Sequence, residues 1–119
     1  MPLQSGTWSA SLNGNVSTVQ IGSVGVGGVV SATVGPFSAG GFWDEDAQKL
    51  TLFLDASSAG GPEVYTAYLF TDPVNLTGVT GSVIFTLAGF VECFQVPSPF
   101  VVAAAKRSVF GWYAQIGVD

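Results

Sequence analysis

The residues that could do chemistry in this chain are few, and nearly all are carboxylates or aromatic rings. Histidine is absent, cysteine occurs once, at Cys93, and Lys and Arg total 3 against 8 Asp and Glu. With no G-x-S-x-G elbow, phosphate loop or dinucleotide-binding fingerprint, the common nucleophile, general-base and metal-ligand sets are missing. Catalysis would have to rest on a carboxylate working with a tyrosine, which ranks an enzyme last among the functions considered. Glu92 is the most informative acid, because it lies in the apolar run Ala88-Gly89-Phe90-Val91-Glu92-Cys93-Phe94, where a lone charge is costly unless paired. Two settings fit it: a polar group inside a ligand cavity, or a structural pair with Arg107 or Lys106 near a strand end. Cys93 falls on the opposite face and reads as a small buried hydrophobe.

Asp44-Glu45-Asp46 with Gln48 offers oxygen ligands, but it lacks the glycine and the terminal glutamate of an EF-hand loop. It reads as a solvated hairpin turn, and no metal or cofactor is assigned. The rings of Trp8, Trp43, Tyr65, Tyr68, Trp112 and Tyr113 could line a pocket with planar surfaces and a few hydroxyls. Equally, they could fill a core or a subunit interface. The ligand-contacting candidates are therefore Trp43, Tyr65, Tyr68, Glu92 and Trp112.

The elements that must position these groups are strands. Helical periodicity is nearly absent, and β-branched and aromatic runs are separated by Gly, Pro, Asn and Asp at the spacing of antiparallel sheets. Ser5 to Leu12 alternates hydroxyls with larger residues, so Trp8 plugs an interior, and Asn13-Gly14 tolerates the positive φ of a type I′ hairpin turn. A second strand runs from Val16 through Val19 and Ile21 and dissolves into Gly22 to Gly28; a third spans Val29 to Val34 and ends at Gly35-Pro36. The fourth, Phe37 to Trp43, contains Ala39-Gly40-Gly41, where the chain can bend sharply. The fifth, Lys49 to Asp55, turns Leu50, Leu52 and Leu54 inward. Ala56 to Pro62 reads as a loop, Glu63 to Phe70 as a sixth strand with rings on both faces, and Asp72 to Gly81 as the longest loop, with an Asn75-Leu76-Thr77 sequon. The seventh strand runs from about Ser82 to Phe94 and stops before Pro97 and Pro99. Phe100 to Ala105 is one helical turn or a lead-in to the closing strand, Lys106 to Ile116.

Eight short strands in neighbour order predict a single all-β domain over residues 1–119, an eight-stranded antiparallel up-and-down β-barrel, with a β-sandwich as the alternative. Charged residues make up 9% and apolar ones 48% of the chain, too little charge to cover a monomer. A homo-oligomer is expected, its interface built from the outward faces of strands six to eight. The net charge of -5, with no basic patch, argues against nucleic acid. The segment Met1-Pro2-Leu3-Gln4 does not read as a signal peptide and no run approaches a bilayer-spanning helix, so a soluble, cytoplasmic protein is expected, a form cut from a longer precursor being equally compatible.

At Gly6-Thr7-Trp8 the chain resembles the calycin families, namely lipocalins, fatty-acid-binding proteins and avidins, whose first strand carries a G-x-W element. Of these, its first 35 or so residues look closest to avidin and streptavidin, with Leu12 four residues after the tryptophan, then a short hairpin and a Gly-containing turn into a third strand. The resemblance implies an up-and-down barrel and a basic residue of the last strand laid over Trp8, for which Arg107, with Lys106 beside it, is the candidate clamp. It does not bring biotin chemistry. Ala10 stands where the family uses an asparagine, and Ala32-Thr33-Val34 where it has Gly-Thr-Tyr. The expected function is thus a non-catalytic barrel binding a small, mostly apolar ligand, the alternative being a self-assembling structural or interaction module with a filled barrel.

Overall fold

The computed structural model describes residues 2–55, 62–73, 83–95 and 106–118. The described residues form eight strands: β1 (Gly6–Leu12), β2 (Asn15–Val24), β3 (Val29–Val34), β4 (Phe37–Asp44), β5 (Lys49–Leu54), β6 (Glu63–Pro73), β7 (Val83–Gln95) and β8 (Lys106–Val118). Each pairs antiparallel with the next, and β8 returns to β1, so the sheet closes into an up-and-down barrel. The closing ladder runs from Ser9 opposite Gln115 to Leu12 opposite Trp112. That pairing rules out the sandwich, whose sheets would keep free edges.

The turn expected at Asn13-Gly14 forms with positive φ at both residues, 51° and 83°, as a type I′ turn requires. Neighbouring strands approach most closely at Gly41 and Gly89. A Cβ at either would sit 1.8 Å from a carbonyl oxygen of the neighbouring strand, that of Thr51 or Thr66, so only glycine permits the approach. The last segments differ from expectation mainly in length: β6 runs on to Pro73 and β8 to Val118. The Asn75-Leu76-Thr77 sequon, Pro97, Pro99 and the Phe100 to Ala105 segment lie outside the described residues.

Alternation decides what is inside. Trp8 and Ala10 of β1, Val19 and Ile21 of β2, Leu50, Leu52 and Leu54 of β5, Tyr65, Ala67 and Leu69 of β6, Leu87 and Val91 of β7, and Trp112 and Ala114 of β8 are all buried in one core. The middle of the barrel is therefore packed by side chains, as barrels of this strand number allow. Trp8 is fully buried, as the alternation of strand one predicts.

Arg107 does not clamp it. Trp8 lies four residues back along β1 from Leu12, and Arg107 five residues beyond Leu12's partner Trp112 on β8, a separation of about 30 Å along the strands. The indole Nε1 instead donates to the carbonyl of Gln4 at 3.1 Å, and Leu3 of the same N-terminal segment is buried in the core. Arg107 is spent elsewhere, on Glu92, through Nε at 2.9 Å and a terminal guanidinium nitrogen at 2.8 Å. The side chain of Lys106 lies outside the described residues.

Trp8 and Trp43 make a controlled comparison, because both are buried but the Trp43 Nε1 has no hydrogen-bond partner among the described residues. Replacing Trp8 by Ala is expected to cost about 3 to 5 kcal/mol, the range for removing a large core ring. Trp8→Phe is expected to cost more than Trp43→Phe, since the second change also removes an unsatisfied buried donor. Chemical denaturation of the three variants checks the magnitude and the ordering.

Candidate functional site

One mouth of the barrel is ringed by the β1–β2 turn, the β3–β4 turn, the start of β6 and the facing ends of β7 and β8. It holds a cavity of about 460 Å³ whose walls include Leu12, Val34, Phe37, Leu54 and Phe110 and whose polar lining includes Glu63, Tyr65 and Cys93. Those three meet because of register. Glu63 and Tyr65 are two apart on β6 and so share its inner face, and Glu63 stands directly opposite Cys93 on β7.

Glu63 is 7% exposed, and a carboxylate so placed needs hydrogen-bond donors. The hydroxyl of Tyr65 donates to Glu63 Oε2 at 2.6 Å. The Tyr65 ring is in turn held edge-on against Trp112, with centroids 5.3 Å apart and planes at 64°, the tilted geometry favoured by aromatic quadrupoles. Trp112 is anchored by its own Nε1 donating to the carbonyl of Thr66 at 3.4 Å. Trp112 thus fixes Tyr65, and Tyr65 fixes the carboxylate. Burial first, then the hydrogen bond and negative charge of Glu63, push the Tyr65 phenol far above its ordinary range. The Cys93 thiol is pushed up likewise, by burial and then by the charge of and hydrogen bond with Glu63. Both groups keep their protons at neutral pH, and the phenol donates its hydrogen bond to the carboxylate.

The residues proposed from sequence separate by strand parity. Tyr65 and Trp112 meet at this cavity, the first lining it directly. Trp43 is also buried, but it lies at the opposite mouth, beside Leu3, Val24 and the exposed Asp44-Glu45-Asp46 turn. Tyr68 points outward, about half exposed, with the Lys49 ammonium 6.0 Å from its ring centre. Glu92 also points outward, in the pair with Arg107, so its cavity role is set aside in favour of the structural pair. Cys93 lies on the face opposite Glu92, as alternation requires, but it lines the cavity and is only partly buried.

Glu63 was not among the candidates. The signal that finds it is its position two residues before Tyr65: once Tyr65 is known to face inward, Glu63 must as well. The Asp44 turn is the solvated hairpin expected, with Asp44 Oδ1 accepting the backbone N–H groups of Asp46 and Ala47, each at 3.1 Å. Gln48 Nε2 donates to the Glu45 carbonyl at 2.7 Å and to its carboxylate.

No protein-family model, curated protein or solved structure matches the chain. Among the described residues, no helix is long and apolar enough to cross a membrane.

The shifted phenol makes a pH prediction. Tyr65 is held above its ordinary value of 10.0, so the stability linked to it is complete below about pH 10 and is lost as pH rises beyond that, where the unfolded chain releases the proton first. A plot of unfolding free energy against pH is expected to fall through the alkaline range, and Tyr65→Phe to flatten part of that fall. Tyrosinate absorbance during the same titration should show one ring ionising only as the fold opens, and that component should vanish in Tyr65→Phe.

Proposed function

We propose that this chain is a non-catalytic binding barrel, which takes a small, mostly apolar molecule into the cavity between the β1–β2 turn and the ends of β6 to β8 and works as a homo-oligomer. The observation that carries the reading is the cavity itself: about 460 Å³, the size of a small-molecule site, with apolar walls and a few convergent polar groups. Its inner wall is preorganised by the Trp112, Tyr65 and Glu63 chain of contacts. A protonated thiol and a protonated phenol are poor nucleophiles and poor bases, which supports binding over catalysis. The Gly6-Thr7-Trp8 resemblance to avidins supports the same reading. The family's polar ligand groups are replaced, since Ala10 and Val34 are buried apolar residues at the corresponding places.

The assembly reading rests on a two-sided exterior. On β1 to β4, Ser9, Thr18, Gln20, Ser31 and Ser38 face solvent, interrupted by the exposed Val16, Val29 and Phe42. A lipid-facing band would need apolar residues on every strand, so this exterior suits water on one side. On the other side, Tyr68, Phe70, Phe90, Val109 and Tyr113 are exposed, Phe90 to 63%. Tyr68, Ala88 and Tyr113 stand in one cross-strand row, so the rings form one patch. A second copy of the chain is the economical cover. The packed middle of the barrel favours a second reading, in which assembly is the whole function and the mouth stays empty.

Titration of a solvatochromic apolar probe, followed by displacement with a small-molecule panel, separates the two. Saturable 1:1 binding is expected, lost in Val34→Trp, which fills the cavity, and biotin is expected to show no submicromolar affinity. Binding that survives Val34→Trp would move the site elsewhere. Sedimentation equilibrium at micromolar concentration is expected to give a dimer or larger, burying about 1,200 Å² or more, and Phe90→Lys to shift it toward monomer. A monomeric parent protein would remove the assembly half of the proposal.

A further inference from the structure

We infer that the cavity selects ligands carrying a protonated amine or a related cation on an apolar body, the cation being seated on Glu63. This rests on the cavity being a ligand site. Three observations bear on it. Glu63 is buried at a mouth whose other lining is largely apolar, where a carboxylate is costly unless positive charge or several donors face it. Its neighbours among the described residues are neutral: the Tyr65 hydroxyl donates to it at 2.6 Å, and Cys93 stands opposite it on β7.

The chain's own cations are few, and the two whose side chains are described are used elsewhere. Of its three, Arg107 is bound to Glu92 on the outer face and Lys49 lies over the exposed Tyr68. The third, Lys106, stands opposite Gln95, two ladder steps beyond the Cys93–Ser108 pair, and its side chain lies outside the described residues. Among the described residues this is a carboxylate among neutral polar groups and largely apolar walls, a setting that rewards a ligand bringing a positive charge. A ligand carboxylate would place two like charges together, and a neutral alcohol would gain a hydrogen bond without the charge.

The test uses one eight-carbon tail with three heads at pH 7: n-octylamine, 1-octanol and octanoate, each displacing the same apolar probe from the full-length protein. The amine is expected to bind roughly tenfold or more tightly than the alcohol, the ratio of a charge-assisted to a neutral hydrogen bond in a water-poor site. Octanoate should be weakest. Glu63→Gln keeps the side chain's shape and its acceptor for Tyr65, and it should bring amine and alcohol to within about twofold while alcohol binding persists.

An alcohol that matches the amine in the parent protein would overturn the inference and leave the apolar-ligand reading standing; a Lys106 that neutralises Glu63 would produce that same result. An amine preference that survives Glu63→Gln would overturn it too, since the cation would then be read by another group. Failure of all three heads to bind would remove both the inference and the reading beneath it. Should the glutamine variant melt early, the ranking of the three heads in the parent protein decides alone.

Discussion

Closure of β8 onto β1 is the constraint on which everything else in this molecule depends. The ladder between Ser9 to Leu12 and Trp112 to Gln115 is short, yet it converts an open sheet with two edges into a surface with an inside and an outside. Once that distinction exists, each strand's period-two alternation has a physical consequence. Trp8, Leu50, Leu52, Leu87 and Trp112 are withdrawn from water, and their neighbours are turned out to it. The same closure carries a stagger between strands, so residues at the two ends of the long β8 belong to opposite mouths. Trp8 is accordingly sealed by the Gln4 carbonyl of its own N-terminal segment, and Arg107, at the far mouth, pairs with Glu92 instead.

The candidate site follows from this inside-outside division. A barrel this size fills its middle with side chains, leaving free volume at the mouths, where the ladders end. At one mouth the volume is bounded by Leu54, Val34 and Phe110 and by Glu63 with its two protonated neighbours. Tyr65 is held by Trp112 from one side and by the carboxylate from the other, so the polar group is oriented without any ligand. Orientation in advance lowers the entropy a ligand must give up on binding. The opposite mouth contrasts with it: its carboxylates sit on an exposed turn, where Asp44 accepts the backbone N–H groups of Asp46 and Ala47.

The exterior carries a second division, between strands rather than faces. Hydroxyl and amide side chains predominate outside β1 to β3, broken by Val16 and Val29, while exposed rings begin at Phe42 and Phe53 and crowd β6 to β8. The long final strands therefore contribute to the core on one side and present an apolar patch on the other, which reconciles a scarcity of charge with a core that is already full.

Much of this was legible in the residues alone. Asn13-Gly14 could only be a tight hairpin turn, the hydroxyl alternation of the first strand could only put Trp8 inside, and the leucines of Lys49 to Asp55 marked their inner face. Number, order and antiparallel sense of the strands follow from such local signals, because turn chemistry and side-chain period act over a few residues. The polar group of the cavity was not legible in the same way. Glu92 attracted notice because it interrupts an apolar run, whereas Glu63 opens a strand and looks like an ordinary surface acid. Only the paired register of β6 and β7 sets Glu63 beside Cys93 and turns Glu92 outward to Arg107. What the sequence by itself determined was the alternation within each strand. Which alternate faced the cavity, and which distant residues became neighbours there, was decided by register and closure, which depend on contacts between strands far apart in the chain and have no local signature.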